Sequence, residues 1–93
     1  MIKVIIEREI GEGMESTYEE IMKNMLRTMV EATGYVSGAN YKDVNNSRHR
    51  FIITTWQSEQ SWDMWKHSTQ RAAILAAIAP ILQQQEKVTL LTA

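Results

Sequence analysis

The tryptophans and histidines are the side chains of this sequence best suited to chemistry. All three tryptophans lie in one stretch, Trp56–Ser68 (WQSEQSWDMWKHS), at spacings of six and then three residues. Trp62 and Trp65 could wall a pocket for a flat ligand, and His67, two residues after Trp65, could act as a base. Core packing for the tryptophans and a cation at a helix C-terminus for His67 are the structural alternatives.

Glu7 and His49 are two further titratable candidates. Glu7 lies in an otherwise apolar N-terminal stretch and could project into the interior of a barrel, or it could form an interfacial ion pair with Lys3 or Arg50. His49 follows a predicted turn and is expected at the surface. With two histidines 18 residues apart and no cysteine, the sequence predicts no metal site.

Hydrophobic periodicity predicts the elements that must position these side chains. Strands alternate in polarity at a period of two, whereas apolar residues recur every three or four positions in a helix. Ser58 is a natural N-cap before the tryptophan-bearing helix, and Pro80 ends or bends the alanine-rich segment. The predicted order is strand 1–10, helix 14–30, strand 35–43, strand 48–56, helix 58–67, helix 71–79 and strand 88–91.

Three local features refine this prediction. One face of the first strand, with Ile2, Val4 and Ile6, is expected to be wholly apolar. On the first helix, Glu19 and Lys23 are spaced for an i,i+4 ion pair. Gly34 is suited to the left-handed conformation that follows a last helical turn, and Gly38 could mark a bulge or a close backbone approach.

The resulting βαββαβ order is that of a ferredoxin-like α+β fold, a four-stranded antiparallel sheet with its helices on one face. The other face would be open. Phe51 and Ile53 alternate with Ile52 and Thr54, so that open face is also predicted to be apolar. A second copy of the chain, sheet against sheet, is the simplest cover, and we expect a two-fold homodimer.

The sequence resembles the antibiotic biosynthesis monooxygenase family of small dimeric α+β barrel proteins. The resemblance covers nearly the whole chain and depends on Gly11–Gly13, on Gly34–Ser37 and chiefly on Trp56–Ser68. Thr33 departs from the pattern, since a proline commonly precedes the glycine at this point in the family. The resemblance implies a dimer with a pocket in each subunit between the sheet and its own helices.

The family implies no single reaction, because a shared fold does not fix a function. Its haem-degrading members use an asparagine on the first strand, a tryptophan on the second helix and a histidine ten residues later. Trp65 matches the tryptophan, but Leu75 stands at the histidine position and Ile6 or Glu7 at the asparagine position. Haem degradation is therefore the weaker expectation.

The family resemblance instead favours a cofactor-independent monooxygenase that combines O2 with a small aromatic or quinol-like substrate, with no metal or other cofactor. A non-catalytic dimeric module that binds a small apolar or aromatic ligand is the alternative, because no clear acid, base or ligand set is present. The predicted pocket lies beside Trp65 and is lined by Ile6, Tyr18, Met22, Met25, Trp62, Trp65 and Leu75.

Composition sets outer limits on these functions. The 93 residues correspond to one domain, 1–93, and the net charge of −1 does not favour nucleic acid as a partner. No stretch approaches the roughly 20 apolar residues of a membrane span, and the N-terminus lacks the apolar run of a signal peptide. The sequence therefore predicts a soluble, cytoplasmic protein.

Overall fold

A computed structural model describes residues 1–93 and has the predicted order of elements. The first strand and helix are separated by a glycine-containing turn, and the second and third strands form a hairpin. The elements are β1 (Ile2–Glu9), α1 (Glu15–Met29), β2 (Tyr35–Asp43), β3 (Asn46–Trp56), α2 (Glu59–Lys66), α3 (Thr69–Ile78), a 3-10 turn (Ala79–Ile81) and β4 (Lys87–Thr92).

The four strands form one antiparallel sheet in the order β2-β3-β1-β4. At its centre Ile6 is paired with Ile52 of β3 on one side and with Val88 of β4 on the other. Burial alternates along β1, where every second residue from Val4 is buried. The ferredoxin-like α+β fold with helices on one face is thus confirmed, and we call the two sides of the sheet the inner face, against the helices, and the open face.

A single apolar cluster fills the space between the inner face and the helices. Trp56 is fully buried at the end of β3, and α1 contributes one aromatic residue and three methionines at helical spacing. Burying side chains of this size supplies the main stabilising free energy of a small domain. The cluster contains Val4, Ile6, Ile10, Tyr18, Met22, Met25, Met29, Ile52, Trp56, Trp62, Trp65, Ile78 and Ile81.

Serine caps define the start of both C-terminal helices. The Ser58 side chain accepts a hydrogen bond from the Ser61 amide at 3.1 Å, as predicted. The prediction that α3 begins at Arg71 was wrong, because the Ser68 hydroxyl accepts a hydrogen bond from the Arg71 amide at 3.2 Å and the helix begins at Thr69. Ser68 therefore caps the start of a helix at a position where its low intrinsic helix propensity suggested an interruption of helical structure.

Two turns have a clear local cause. Gly34 has a φ of +83°, which confirms the left-handed conformation predicted after α1. In the hairpin, the Asn45 amide donates to Asp43 Oδ1 at 2.8 Å in a turn at residues 44–45, so β3 begins at Asn46 and not at residue 48 as predicted. No helix of the structure combines the length and the apolar character that crossing a membrane requires.

The edge position of β2 shapes the surface next to α1. Between its terminal residues, every residue of β2 is exposed, including Asn40 and Lys42, which are paired with the inner-face residues Ile52 and Arg50 of β3. The inner side of β2 therefore lies beside α1 without being covered by it. Gly38 on this strand confirms the predicted close approach, since a Cβ there would meet the Tyr35 hydroxyl at 2.7 Å.

Candidate functional site

The three tryptophans form the centre of the core. The Trp56 ring lies 5.8 Å from that of Trp62 and 6.4 Å from that of Trp65, between ring centroids. Trp56 Nε1 donates to the buried Thr54 hydroxyl at 2.9 Å, so its polar atom is satisfied inside the protein. This aromatic cluster fixes α2 on the sheet and leaves little tryptophan surface for a ligand.

The structure does not gather the residues of the predicted pocket around one cavity. Ile6 and Met25 pack within the core, and Leu75 is half-buried against it. The others line separate clefts: Tyr18 and Met22 one of about 380 Å³, Trp62 one of about 430 Å³, Trp65 one of about 310 Å³, and Leu75 one of about 330 Å³. The predicted roles of these residues stay predictions, and four clefts border the residues of the predicted pocket.

The cleft above Tyr18 and Met22, which we call the α1–β2 cleft, has apolar groups on the α1 side and cations on both sides. Leu26 of α1 is 40% exposed beside it, and Tyr18 and Met22 form its buried base. Lys23 lies on α1, and Lys42 and Asn40 lie on β2. The cleft is lined by Tyr18, Glu19, Met22, Lys23, Leu26, Asn40, Tyr41, Lys42, Arg50 and Phe51.

Arg50 is the one buried charged side chain of the α1–β2 cleft, only 8% exposed. Its Nε donates to the Ser47 carbonyl at 2.6 Å, and its Nη2 donates to Glu19 Oε1 at 3.1 Å. The predicted Glu19–Lys23 pair was therefore wrong: Glu19 binds Arg50, and Lys23 forms an exposed pair with Glu20 at 3.5 Å. Glu19 thus pairs with Arg50, which the Ser47 carbonyl already holds in position on the sheet, instead of with Lys23 on its own helix.

Beneath the cleft, a second arginine corrects the expectation of a wholly apolar inner face. Arg8 of β1 is 3% exposed and donates from Nη1 to the Tyr18 hydroxyl at 3.1 Å. The guanidinium carbons of Arg8 and Arg50 lie 5.9 and 5.7 Å from the Tyr18 ring centroid. Two buried cations therefore flank one phenol ring at the base of the cleft.

Glu86 neutralises part of this buried charge. Its Oε2 accepts from Arg8 at 3.0 and 3.1 Å, and its Oε1 accepts from Arg71 of α3 at 2.8 Å. Burial lowers the pKa of the Arg71 guanidinium, the charge of Arg8 acts in the same direction, and Glu86 opposes both. One carboxylate thus holds two arginines from separate elements.

The cleft beside Trp65 has a different chemical character. Trp65 is 6% exposed, and the cleft is bordered by short polar side chains and one carboxylate, without a lysine or arginine. Its lining residues are Thr28, Glu31, Ala32, Thr33, Ser61, Met64, Trp65, Ser68 and Gln70. It offers hydrogen bonds to a ligand but no positive charge.

His67 lies apart from these clefts at the C-terminus of α2. Its Nδ1 lies 2.9 Å from the Asp63 carbonyl oxygen and 3.5 Å from the Asp63 carboxylate, and both side chains are mostly exposed. This geometry fits the structural alternative of a C-terminal helix cap. The catalytic role considered for His67 stays a prediction, and His67 itself lines none of the clefts described.

Glu7 and His49 meet on the open face. His49 Nε2 lies 3.0 Å from Glu7 Oε1, and His49 Nδ1 lies 3.3 Å from Asp43 Oδ2. Lys3 and Arg50 are therefore not the partners of Glu7, and His49 is partly buried, with 28% of its side chain exposed, instead of lying at the surface. The predicted ion pair of Glu7 and the predicted surface position of His49 were wrong because cross-strand register places His49 beside two carboxylates, and a role for Glu7 inside a barrel stays a prediction.

This triad shifts the pKa values of two of its members. Partial burial acts to lower the pKa of His49, but hydrogen bonds to Glu7 and Asp43 and their negative charge outweigh it and raise that pKa. The Asn45 amide, followed by His49, lowers the pKa of Asp43. No group of three or more His, Asp and Glu side chains is placed to hold a metal ion.

Sequence reasoning missed Arg50 and Lys42 in the α1–β2 cleft and Arg8 beneath it. Arg8 shares the parity of Val4 and Ile6 in β1, and Arg50 shares that of Ile52 in β3. A charged residue at a buried strand parity is the signal that could have identified both. Lys42 carries no such signal, because its role depends on the edge position of β2.

Comparison with known proteins agrees with this architecture. One solved antibiotic biosynthesis monooxygenase has a TM-score of 0.92 at 16% identity, covering 100% of this chain and 98% of its own. A conserved protein from Methanosarcina mazei Go1 has a TM-score of 0.91 at 14% identity, with coverages of 97% and 89%. SnoaB from Streptomyces nogalater, a cofactor-independent oxygenase, has a TM-score of 0.85 at 12% identity, with coverages of 99% and 92%.

At these identities the structural likeness establishes the fold alone. None of the curated protein sequences is significantly similar to this chain. The family model for antibiotic biosynthesis monooxygenase, however, matches residues 1–77. That match includes β1, α1, β2, β3 and the whole Trp56–Ser68 stretch on which the resemblance was recognised. The chain therefore belongs to the antibiotic biosynthesis monooxygenase family.

Proposed function

We propose that this protein is a cofactor-independent monooxygenase that binds a small quinol-like aromatic substrate in the α1–β2 cleft. The observation that carries the proposal is the composition of this cleft, about 380 Å³ with exposed apolar surface at Leu26 and cations on both α1 and β2. A volume of this size accommodates a small polycyclic ligand. Family membership supports the reaction class.

The proposed reaction needs no external reductant. A hydroquinone and O2 give a hydroxyquinone and water: one oxygen atom enters the ring, the other leaves as water, and the substrate supplies all the electrons. The reactive form is the ionised hydroquinone, since an oxyanion transfers an electron to O2 more readily than a neutral hydroxyl does. The protein must therefore favour loss of a proton from the bound substrate.

Lys42 and Asn40 are placed to stabilise that oxyanion. Both lie on the inner side of β2, facing the cleft opposite α1. An ammonium group and an amide donor that are already in position lower the free energy of a developing negative charge. Both residues are exposed, so the released proton can leave to solvent through the cleft mouth. The cleft beside Trp65 has no cation for this role.

Filling each cleft in turn tests the proposal. Leu26 and Met64 are both exposed helical residues, 40% and 60% respectively, and line different clefts. With a panel of quinols and anthrones in an oxygen electrode, we expect uptake by the native protein, a loss of at least about tenfold in Leu26→Trp and little change in Met64→Trp.

Two outcomes would contradict this assignment. Loss of uptake in Met64→Trp but not in Leu26→Trp would move the site to the cleft beside Trp65. Absence of uptake above a protein-free control for every substrate would instead favour the non-catalytic ligand-binding module. That alternative is supported by the cleft lining, which contains no histidine and whose one carboxylate, Glu19, is paired with Arg50.

We also propose that two copies pair through their open faces. Apolar groups on this face remain partly exposed at Ile5, Phe51 and Ile53, and Tyr41 and Leu91 are 55% and 47% exposed. Sedimentation should give about twice the chain mass of 10.7 kDa. Ile53→Lys should shift it to the single-chain mass, while Met64→Lys on the helical surface should not; a single-chain mass for the native protein would overturn the proposal.

A further inference from the structure

The ion pair between Arg50 and Glu19 combines a buried cation with an exposed anion. The Arg50 side chain is 9% exposed, whereas the Glu19 side chain is 54% exposed. Arg50 is also held by the Ser47 carbonyl, so its position does not depend on Glu19. Glu19 has no other ion pair and lies on an outward turn of α1, so its carboxylate can move into solvent at small cost.

Glu19 therefore occupies a place suited to a carboxylate supplied by a ligand. Its Oε1 is 3.1 Å from Arg50 Nη2 inside the α1–β2 cleft, the distance expected for a charge-assisted hydrogen bond. Lys23 and Lys42 line the same cleft from α1 and β2, so cations outnumber anions there on a chain whose net charge is −1. Such a local excess of positive charge attracts anions.

We propose that the ligand of the α1–β2 cleft is an aromatic carboxylate whose carboxyl group displaces Glu19 from Arg50. The ring then lies against Leu26, and Lys42 and Asn40 remain free for a ring hydroxyl. The inference builds on the proposed function by naming the substrate class, a hydroxylated aromatic acid. Glu19 acts as an internal competitor that keeps the Arg50 charge paired while the cleft holds no ligand.

Calorimetric titration with two matched compounds tests this inference without turnover. 1-Hydroxy-2-naphthoate and 1-hydroxy-2-naphthamide share a ring and hydroxyl but differ in charge. Under argon, we expect the carboxylate to bind the native protein about fivefold more tightly than the amide, the range of a partly exposed ion pair. Raising the salt concentration should reduce that ratio.

Substitution of Glu19 distinguishes displacement of its carboxylate from a general attraction of anions to the cleft. Glu19→Gln should strengthen carboxylate binding by about fivefold and leave amide binding unchanged. Glu12→Gln removes the same charge from an exposed residue that lines no part of the cleft and forms no ion pair, and it should change neither affinity appreciably.

Equal affinities for the two compounds, no binding of either at millimolar concentration, or equal responses to the two substitutions would overturn the inference. The oxygen-electrode result is independent of these outcomes. A protein that binds the carboxylate selectively but consumes no O2 would retain this ligand class and lose the proposed reaction. A protein that consumes O2 with neutral quinols and shows no carboxylate preference would retain the proposed reaction and lose this ligand class.

Discussion

The Tyr18 hydroxyl accepts a hydrogen bond from Arg8 Nη1 at 3.1 Å, which joins the base of the α1–β2 cleft to the buried charges of the core. Arg8 in turn binds Glu86, which lies just before β4. The first helix, the central strand and the C-terminal segment are therefore held by one chain of polar contacts. A change at Glu86 is expected to reach the cleft through Arg8 and Tyr18 as well as lower stability.

Loss of the Glu86 charge should destabilise the fold strongly. Glu86→Gln leaves the buried guanidinium groups of Arg8 and Arg71 without a carboxylate, and breaking a buried pair in this way costs about 3 kcal/mol. Urea denaturation measures the change in unfolding free energy. Glu20→Gln, which breaks the exposed pair with Lys23, should cost no more than about 0.5 kcal/mol. Similar losses in the two variants would argue against a structural role for the network.

Gly34 should resist substitution for two separable reasons. Its φ of +83° costs an alanine about 1–2 kcal/mol, and a Cβ would also overlap the Ser61 side chain. Gly13 has a φ of +78° but nothing within 4 Å of a built Cβ, so Gly13→Ala reports the conformational cost alone. We expect Gly34→Ala to lose at least about 1 kcal/mol more than Gly13→Ala.

A double variant identifies the source of that excess. Adding Ser61→Gly removes the side chain that the new Cβ would meet, so it should rescue Gly34→Ala but destabilise the native protein. Strictly additive effects of the two substitutions on the unfolding free energy would mean that the overlap has no energetic weight.

The His49 triad should make stability depend on pH. The pKa of His49 is raised in the folded protein, so its protonated form stabilises the fold. This contribution is fully present below the unfolded pKa of about 6.5 and is lost as the pH rises through the higher folded pKa. Glu7 and Glu9 on β1 and Asp43 on β2 are the acidic groups that produce the effect.

His49→Gln isolates this contribution. The substitution should lower the unfolding free energy more at pH 5.5 than at pH 9, because only the protonated imidazole gains from the two carboxylates. The Asp43 carboxylate, whose pKa is lowered, remains ionised across this range. An equal loss at both pH values would show that His49 acts through packing on Phe51, whose ring centroid is 4.6 Å away, and not through its charge.

The sequence allowed the fold to be predicted because periodicity and turn chemistry agree along most of the chain. Alternation in β1, helical spacing in α1 and the Ser58 cap each lead to an element that the structure contains. The start of α3 was misplaced because Ser68 has low helix propensity but high capping preference, and one residue type carries both signals.

The candidate site was far less predictable. Arg8 and Glu86 are 78 residues apart, and Arg50 and Glu19 are 31 apart, so neither pair follows from local spacing. The prominent Trp56–Ser68 stretch identified the family but contributes mainly to the core. The cleft depends on a sheet edge that α1 leaves uncovered, which is a property of packing and not of any one segment.

Mapping of a bound ligand by nuclear magnetic resonance tests the location of the site most directly. In 1H–15N spectra recorded with 1-hydroxy-2-naphthoate under argon, we expect shifts concentrated at Met22, Leu26, Asn40 and Lys42, which line the α1–β2 cleft. Shifts concentrated instead at Thr33, Ser61, Met64 and Gln70, around the cleft beside Trp65, would contradict it.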